Sequence, residues 1–494
     1  MSDSQTRTKI DPKIQNQHKM SDKQKPAAPT RTVQHKSSRQ KTAKPETDSV
    51  LRCASIFSRI IPRSFKIKHL ALLPVLALLQ VLVYFVYIQK TERVLKERED
   101  FINSQLNPDS AKRRGDYRVL YKFQKSDTYS QVQEDDVTVI TQCSVNNLHY
   151  LIDMAGRWQG QISVSVFAPK NDAITGLYAI NAIRRCFPSV RELVTFHLVW
   201  PDNKSPVYEN NPPKGLTSPD CSIVYTALKA IPGQNYAHTS IPYPHNTLRN
   251  AARENLNTKL IFLLDVDTVP SKTAREQFLQ FVHKRDVFGE ESDIQENTVF
   301  VTPAWEVLEE VEAPEDKQDL LNLLEAERIR PFHNETCWHC HKTTRYNDWI
   351  EVAIESQLSI AYEVDWEQSW EPYYFSLNSA PLHDERFKQY GYDRISQICE
   401  LYMAEYRFFV LNNVFTVHQG YKRLEGFHIE KNIENRRNFL LFEDYFQPEM
   451  QKKYPEANRT CRQQDAWSSR DGRAKVRSSL EELMKQQQKR NVKK

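Results

Sequence analysis

The 494-residue chain carries 68 Lys and Arg against 63 Asp and Glu, a net charge of +5 that hides a strong asymmetry. Residues 1–69 hold 16 basic against 5 acidic side chains and residues 466–494 hold 9 against 3, which leaves the stretch between them at −12. An acidic body with no aromatic-interleaved basic patch excludes nucleic acid as a partner, and the length allows one large domain or two ordinary ones.

Residues 1–50 are rich in Lys, Gln, Ser, Thr and Pro and nearly devoid of large apolar side chains, a composition that cannot bury a core. Residues 1–69 are therefore expected to be a disordered basic tail. Leu70 to Ile88 carries no charge, and Gln80 is its one strongly polar residue. Nineteen helical residues span roughly 28 Å, enough for a bilayer core. Pro74 falls near the first turn, where a helix tolerates it, and Tyr84 and Tyr87 sit near one end as interfacial aromatics do. The start near residue 70 and the lack of an A-x-A-like site argue against a cleaved signal peptide. Arg59, Arg63, Lys66 and Lys68 precede the span, and Lys90, Arg93, Lys96 and Arg98 follow it among acidic residues. The long basic tail decides the orientation: N-terminus cytosolic, body lumenal, a single-pass type II anchor. Residues 89–115 read as a charged stem.

A globular body is expected over 116–465. Val137 to Thr141, Ile162 to Phe167 and Val194 to Val199 read as strands, with helices at Leu148 to Trp158 and Asp172 to Cys186 between them. That alternation predicts an α/β fold with a parallel sheet. Residues 200–222 read as a loop, Asn246 to Asn255 as a helix, Phe300 to Pro303 as a strand and Glu306 to Arg328 as an acidic helix. A basic tail, 466–494, closes the chain.

Leu260 to Ser271, LIFLLDVDTVPS, is the most informative run. A continuous apolar stretch reads as a buried strand, and Asp265 and Asp267 stand at its C-terminal end, where open α/β sheets bind ligands. Two neighbouring carboxylates there are either solvated in a turn or hold a cation between them.

Cys53 lies on the cytosolic side, as a free thiol or a palmitoylation site. The body holds Cys143, Cys186, Cys221, Cys337, Cys340, Cys399 and Cys461, an odd number that leaves at least one unpaired. Cys337-Trp-His-Cys340 is a zinc half-site with no second C-x-x-C, so a disulfide or two separate pairings is the expectation. Asn203, Asn334 and Asn458 open N-x-S/T sequons, glycosylation acceptors in a lumenal body.

Further along the chain come Gly115-Asp-Tyr-Arg-Val119, Arg157-Trp158, Tyr243-Pro-His-Asn-Thr-Leu-Arg-Asn250 and Val301-Thr-Pro-Ala304. Trp370-Glu-Pro-Tyr373, Asp384-Glu-Arg-Phe387, Gln389-Tyr-Gly391, Arg394-Ile-Ser-Gln397, Cys399-Glu-Leu401, Val417-His418, Lys453-Tyr-Pro455 and Cys461 follow in order. With the D-V-D strand, this series resembles glycosyltransferase family 49 over about residues 115–461. The resemblance implies a GT-A nucleotide-sugar transferase fold. It also implies a Golgi enzyme that moves glucuronic acid from UDP-glucuronic acid in β-1,4 linkage, with inversion, to a xylose-ended glycan such as the O-mannosyl glycan of α-dystroglycan. The partners implied are a UDP-sugar donor, a glycan or glycoprotein acceptor, the Golgi membrane and other Golgi transferases. Mn²⁺ or Mg²⁺ is the implied cofactor, held by Asp265 and Asp267 with His418 as third ligand. Arg249 is expected to meet the donor diphosphate, with a helix salt bridge as the other reading.

Inversion needs a base to take the acceptor proton, and the candidates are Asp384, Glu385, Asp393 and Glu400. Related GT-A families point to Asp393, but the resembled enzyme carries Asn there, which favours Asp384 or Glu400, with Asp384 first. The remaining carboxylates are expected to hold Arg386 and Arg394 in ion pairs. Trp366, Trp370, Tyr373 and Tyr390 are expected to divide between a sugar-stacking floor and core packing. The long N-terminal tail, the segment 466–494 and Cys143 depart from the family pattern. Two rival readings remain at this stage: a transferase of the same family using UDP-N-acetylglucosamine or UDP-xylose, and a non-catalytic Golgi glycan-binding protein.

Overall fold

The structure, a computed structural model, describes residues 72–106, 108–169, 172–203, 213–234, 236, 241–289, 292, 294–424, 429–461 and 469–492. The expected disorder of the N-terminal tail and the start of the apolar span lie outside the described residues. The chain divides after Gln89 into two units. Of the first, the described part is the beginning of helix α1 (Leu72–Leu106). Its stretch Pro74–Val94 is long and apolar enough to cross a membrane, and none of it is buried.

The second unit holds, in chain order, β1 (Lys112–Arg114), β2 (Tyr117–Gln124), β3 (Val137–Ser144), α2 (Tyr150–Trp158), β4 (Ile162–Phe167), α3 (Asp172–Cys186), α4 (Pro188–Leu193), β5 (Val194–Pro201), α5 (Val224–Lys229), α6 (His245–Arg253), β6 (Leu260–Leu263), β7 (Thr268–Pro270) and α7 (Ala274–Arg285). It continues with β8 (Thr298–Thr302), β9 (Ala304–Val307), α8 (Lys317–Glu325), β10 (Ile329–Pro331), α9 (Tyr346–Glu351), β11 (Ile360–Val364), β12 (Tyr373–Leu377), α10 (Asp393–Met403), β13 (Arg407–Leu411), β14 (Thr416–Gln419), α11 (Ile429–Leu441), α12 (Gln447–Lys453) and α13 (Arg470–Val492).

Among the described residues, ten strands form one sheet in the order β1-β2-β5-β4-β3-β6-β12-β8-β13-β11. The inner strands β5, β4, β3 and β6 run parallel, and β12 enters antiparallel between β6 and β8. The expected α/β class is therefore the observed one, with a mixed sheet. Alternate residues of each strand face opposite ways. Val137, Val139, Phe262, Phe300 and Phe375 enter one core, while Ile140, Ile261, Leu263, Val299 and Tyr374 enter the other. The rings of Phe262 and Phe278 stack on either neighbour side of Phe375, with centroids 3.8 and 3.9 Å away. Each buried ring of this kind contributes roughly 2–3 kcal/mol by removal from water.

A second sheet, β10-β9-β14-β7, takes three of its strands directly after strands of the first: β7 after β6, β9 after β8 and β14 after β13. The region 306–328, expected to be acidic and mainly helical, is instead the end of β9, a turn, the short helix α8 and a return into β10. Glu306 is buried and pairs with Arg330 across β9 and β10 at 2.5 Å, so its charge marks a cross-strand pair and not a helix surface. Residues 89–115, expected as a stem, contribute the second half of α1 and strand β1, and Ile102 and Leu106 are buried in the core. In the segment 466–494, α13 packs on α11, with Arg473 and Arg477 paired to Asp444.

Candidate active site

Strand order reverses at β3. The chain steps from β3 to β4 to β5 on one side and returns with β6 on the other. Such a switch point opens a crevice beyond the carboxyl ends of the strands. A cavity of about 750 Å³ lies there, lined by Gln142, Cys143 and Ser144 from the end of β3 and by Asp265, Val266 and Asp267 beyond β6. From the other side come Arg249 of α6, Glu371, Tyr390, Asp393 and Arg394 before and within α10, and Lys422.

The D-V-D turn closes on itself. Thr268 donates to the Asp265 carbonyl from its backbone N–H at 3.1 Å and from its hydroxyl at 2.7 Å. The chain then enters β7, which pairs antiparallel with β14 so that His418 stands opposite Thr268. This register brings Nε2 of His418 to 3.2 Å from the Asp267 carboxylate. His418 Nδ1 lies 2.8 Å from the Gly420 carbonyl, which can only accept, so Nδ1 carries a proton and donates it there. When the ring is neutral, Nε2 faces the carboxylate with its lone pair. Two acceptors so placed require a proton or a cation between them. A carboxylate with a neutral imidazole is a donor set that suits Mn²⁺.

Asp265 faces elsewhere. Its carboxylate is paired with Arg394, accepts from the Tyr373 hydroxyl at 3.1 Å, and lies 3.4 Å from Arg249. Among the described residues, no group of three or more His, Cys, Asp or Glu side chains is arranged to hold a metal as they stand. Asp267 and His418 are thus together, and Asp265 is adjacent but turned to the arginines.

Arg249 is buried and bridges Asp265 and Asp393, the latter at 2.6 Å. The salt bridges it makes run to other elements and not along its own helix, and they lie inside the cavity. Burial alone would raise the Asp393 carboxyl, but Arg249 foremost, with His245 and Arg394, holds it well below the usual carboxylate range. The helix that carries Asp393 starts from a sharp turn, Gly391 with φ +88° and Tyr392 with φ +63°. A Cβ at Gly391 would approach the Asn435 side-chain oxygen to 2.3 Å, so glycine is required there.

The other base candidates do not reach the cavity. The Asp384 side chain is paired with Arg386, which also binds Glu449. Its backbone carbonyl accepts from Asn246, which anchors this loop to α6. Glu385 accepts from Asn250 and pairs with Arg114. Glu400 is buried against Lys453 and Tyr454. These three carboxylates hold elements together. Of the aromatics, Tyr390 lines the cavity and Tyr373 touches Asp265, whereas Trp370 is core and Trp366 stacks on Tyr402.

Sequence reasoning missed Glu371 and gave Arg394 a generic role. Burial raises the Glu371 carboxyl to about 7 against the pull of Arg394 and Arg249, with Asp393 and Asp265 adding to the rise. Glu371 stood inside the quoted Trp-Glu-Pro-Tyr run, and a Glu before a Pro at a strand entrance was the available signal. Cys337 and Cys340 form a disulfide at the cavity wall, which disposes of the zinc half-site. Cys186–Cys221 and Cys399–Cys461 are also bonded, and Cys143 is the free, buried cysteine among the described residues. Asn203, Asn334 and Asn458 are all exposed.

Known proteins match this chain closely. A family model described as "Glycosyl-transferase for dystroglycan" matches residues 136–455. Beta-1,4-glucuronyltransferase 1 of Danio rerio is 35% identical over 362 residues, covering 70% of this chain and 82% of its own. The Homo sapiens protein of that name is 36% identical over 353 residues with the same coverage. Xylosyl- and glucuronyltransferase LARGE2 of Mus musculus is 25% identical over 287 residues, 58% of this chain and 34% of its own. An α/β sheet with a carboxylate-lined switch-point cavity, matched across most of its body by these sequences, places the chain in glycosyltransferase family 49.

Proposed function

We propose that this glycosyltransferase is a Golgi type II membrane enzyme of GT-A fold that transfers glucuronic acid from UDP-glucuronic acid, in β-1,4 linkage and with inversion, to a xylose-ended acceptor. The acceptor class is the O-mannosyl glycan of the kind built on α-dystroglycan, as the family description suggests. The observation that carries the reading is the meeting, at the switch point, of Asp265 and Asp267 with His418, the buried Arg249 and the half-buried Arg394. The relatives named glucuronyltransferases supply the sugar. The apolar helix window Pro74–Val94 supplies the anchor.

Asp265, Asp267 and His418 would hold Mn²⁺ or Mg²⁺. When bound, the ion supplies positive charge to the diphosphate that leaves with UDP. Arg249 and Arg394 line the same wall and add fixed positive charge where the leaving group becomes more negative. Their buried ion pairs hold them in place before substrate arrives, so little reorganisation accompanies reaction. Tyr390 offers a ring face to a sugar.

The test is a donor panel on the full chain in detergent, with Mn²⁺ and a β-xyloside acceptor. Transfer from UDP-glucuronic acid is the expected result. Transfer from UDP-xylose or UDP-N-acetylglucosamine alone would replace the donor; the bifunctional naming of the mouse relative makes UDP-xylose the pertinent rival. Absence of transfer from every donor would favour a glycan-binding role.

A further inference from the structure

We infer that Glu371 is the residue that takes the proton from the acceptor hydroxyl. The inference rests on the transferase reading above. Five carboxylates line the cavity: Asp265, Asp267, Glu371, Asp393 and Glu434. Asp265 is held by Arg394, Arg249 and Tyr373, and Asp267 by His418 and Lys422. Asp393 is held by Arg249. Glu434 accepts from the backbone of Tyr390. Glu371 differs from all four. Its backbone is fixed at both ends, its N–H donating to the Cys340 carbonyl at 2.8 Å and its carbonyl lying 3.5 Å from Arg394. Among the described residues, no ion pair or hydrogen bond engages its carboxylate. It is therefore a positioned group with an uncommitted acceptor.

Placement agrees. Glu371 is two residues ahead of Tyr373, the first residue of β12, whose hydroxyl donates to Asp265. Glu371 lines the same cavity as Asp265, Asp267 and Asp393, and its carboxylate feels the charges of Asp265, Asp393, Arg249 and Arg394. A carboxyl raised by burial suits a base that must hold a proton in the transition state and release it afterwards. In the step, the acceptor oxygen bonds to C1 of the sugar as its proton passes to a Glu371 oxygen. The bond from C1 to the phosphate oxygen breaks, and its electron pair leaves with UDP. The proton then goes from Glu371 to solvent.

The test compares the full chain in detergent with Glu371→Gln and Glu371→Asp, using whichever donor of the panel the wild type accepts. A wrong donor assignment therefore leaves the comparison intact, and a wild type that uses no donor overturns both readings. Glu371→Gln is expected to lower kcat by roughly 10²–10⁴-fold. Its affinity for UDP in the presence of Mn²⁺ should stay within about twofold, as should its KM for donor. Glu371→Asp should recover part of the loss. Azide, a nucleophile that brings no proton, should give the glycosyl azide at comparable rates with wild type and Glu371→Gln. A Glu371→Gln variant that keeps kcat within tenfold, or that loses UDP binding along with turnover, overturns the assignment.

Discussion

His418 owes its position to strand register: β7 and β14 pair so that it faces Asp267, far away in sequence. Asp265 and Asp267 stood out at the end of an apolar run, which by itself also fits a solvated turn; the fold puts both in the cavity wall. Arg394 and Glu371 were not, because YDR and WEP look like any surface cluster until the fold brings them beside Asp265. Asp384 stood first among the base candidates and Glu400 beside it, and only their ion partners reveal them as fasteners. Asp265→Asn removes the charge that meets Arg394 and Arg249, so kcat should fall at least about 100-fold, or about 2.7 kcal/mol, and the unfolding midpoint should fall with the lost pairing. Turnover within a few-fold of wild type would remove Asp265 from the metal site. The pH profile has a definite sign. Burial first, then the Asp393 and Asp265 charges opposed by Arg394 and Arg249, sets the Glu371 carboxyl at about 7, and its charge adds to the burial that raises the Tyr390 hydroxyl. A base acts only when unprotonated, so kcat/KM should rise as pH increases through about 7 and level off above it. A flat profile between pH 5 and 8 would contradict this.

Helix α6 shows what an element does for the site. Its Arg249 enters the cavity while Asn246, Asn250 and Arg253 bind the 378–393 segment on which α10 is mounted. Arg253 is buried and donates to Asn378, Ala380 and Pro381 carbonyls. Arg253→Ala strands those acceptors and opens a cavity, so a loss of about 3–5 kcal/mol is expected, read as a lowered unfolding midpoint. An unchanged midpoint would mean that the 378–393 segment is held by other contacts. The strands β4 and β5 could be read as short apolar runs buried on both faces, and helix α3 from the periodic face it buries. The stretch 306–328 could not: a buried Glu306–Arg330 pair mimics helix-surface charge, and no local pattern distinguishes the two.

At the level of the whole chain, the amphiphilic division into apolar span and acidic body was evident from composition, whereas the insertion of β12 between β6 and β8 depends on pairings that composition does not encode. Deleting residues 70–88 should move the protein from the carbonate-resistant membrane fraction to the soluble one. Retention in the membrane pellet would require a second attachment. The sheet also has a mechanical meaning. Asp265 lies just beyond β6, and Glu371 lies just before its antiparallel neighbour β12. The gap between the D-V-D turn and Glu371 is therefore gauged by the backbone ladder of two adjacent strands and not by a loop. The Phe262–Phe375–Phe278 stack clamps that ladder from beneath. Those rings never meet substrate, yet they act as the shim that sets the spacing of the reaction centre, so a change in ring thickness there would detune chemistry before it unfolded the protein.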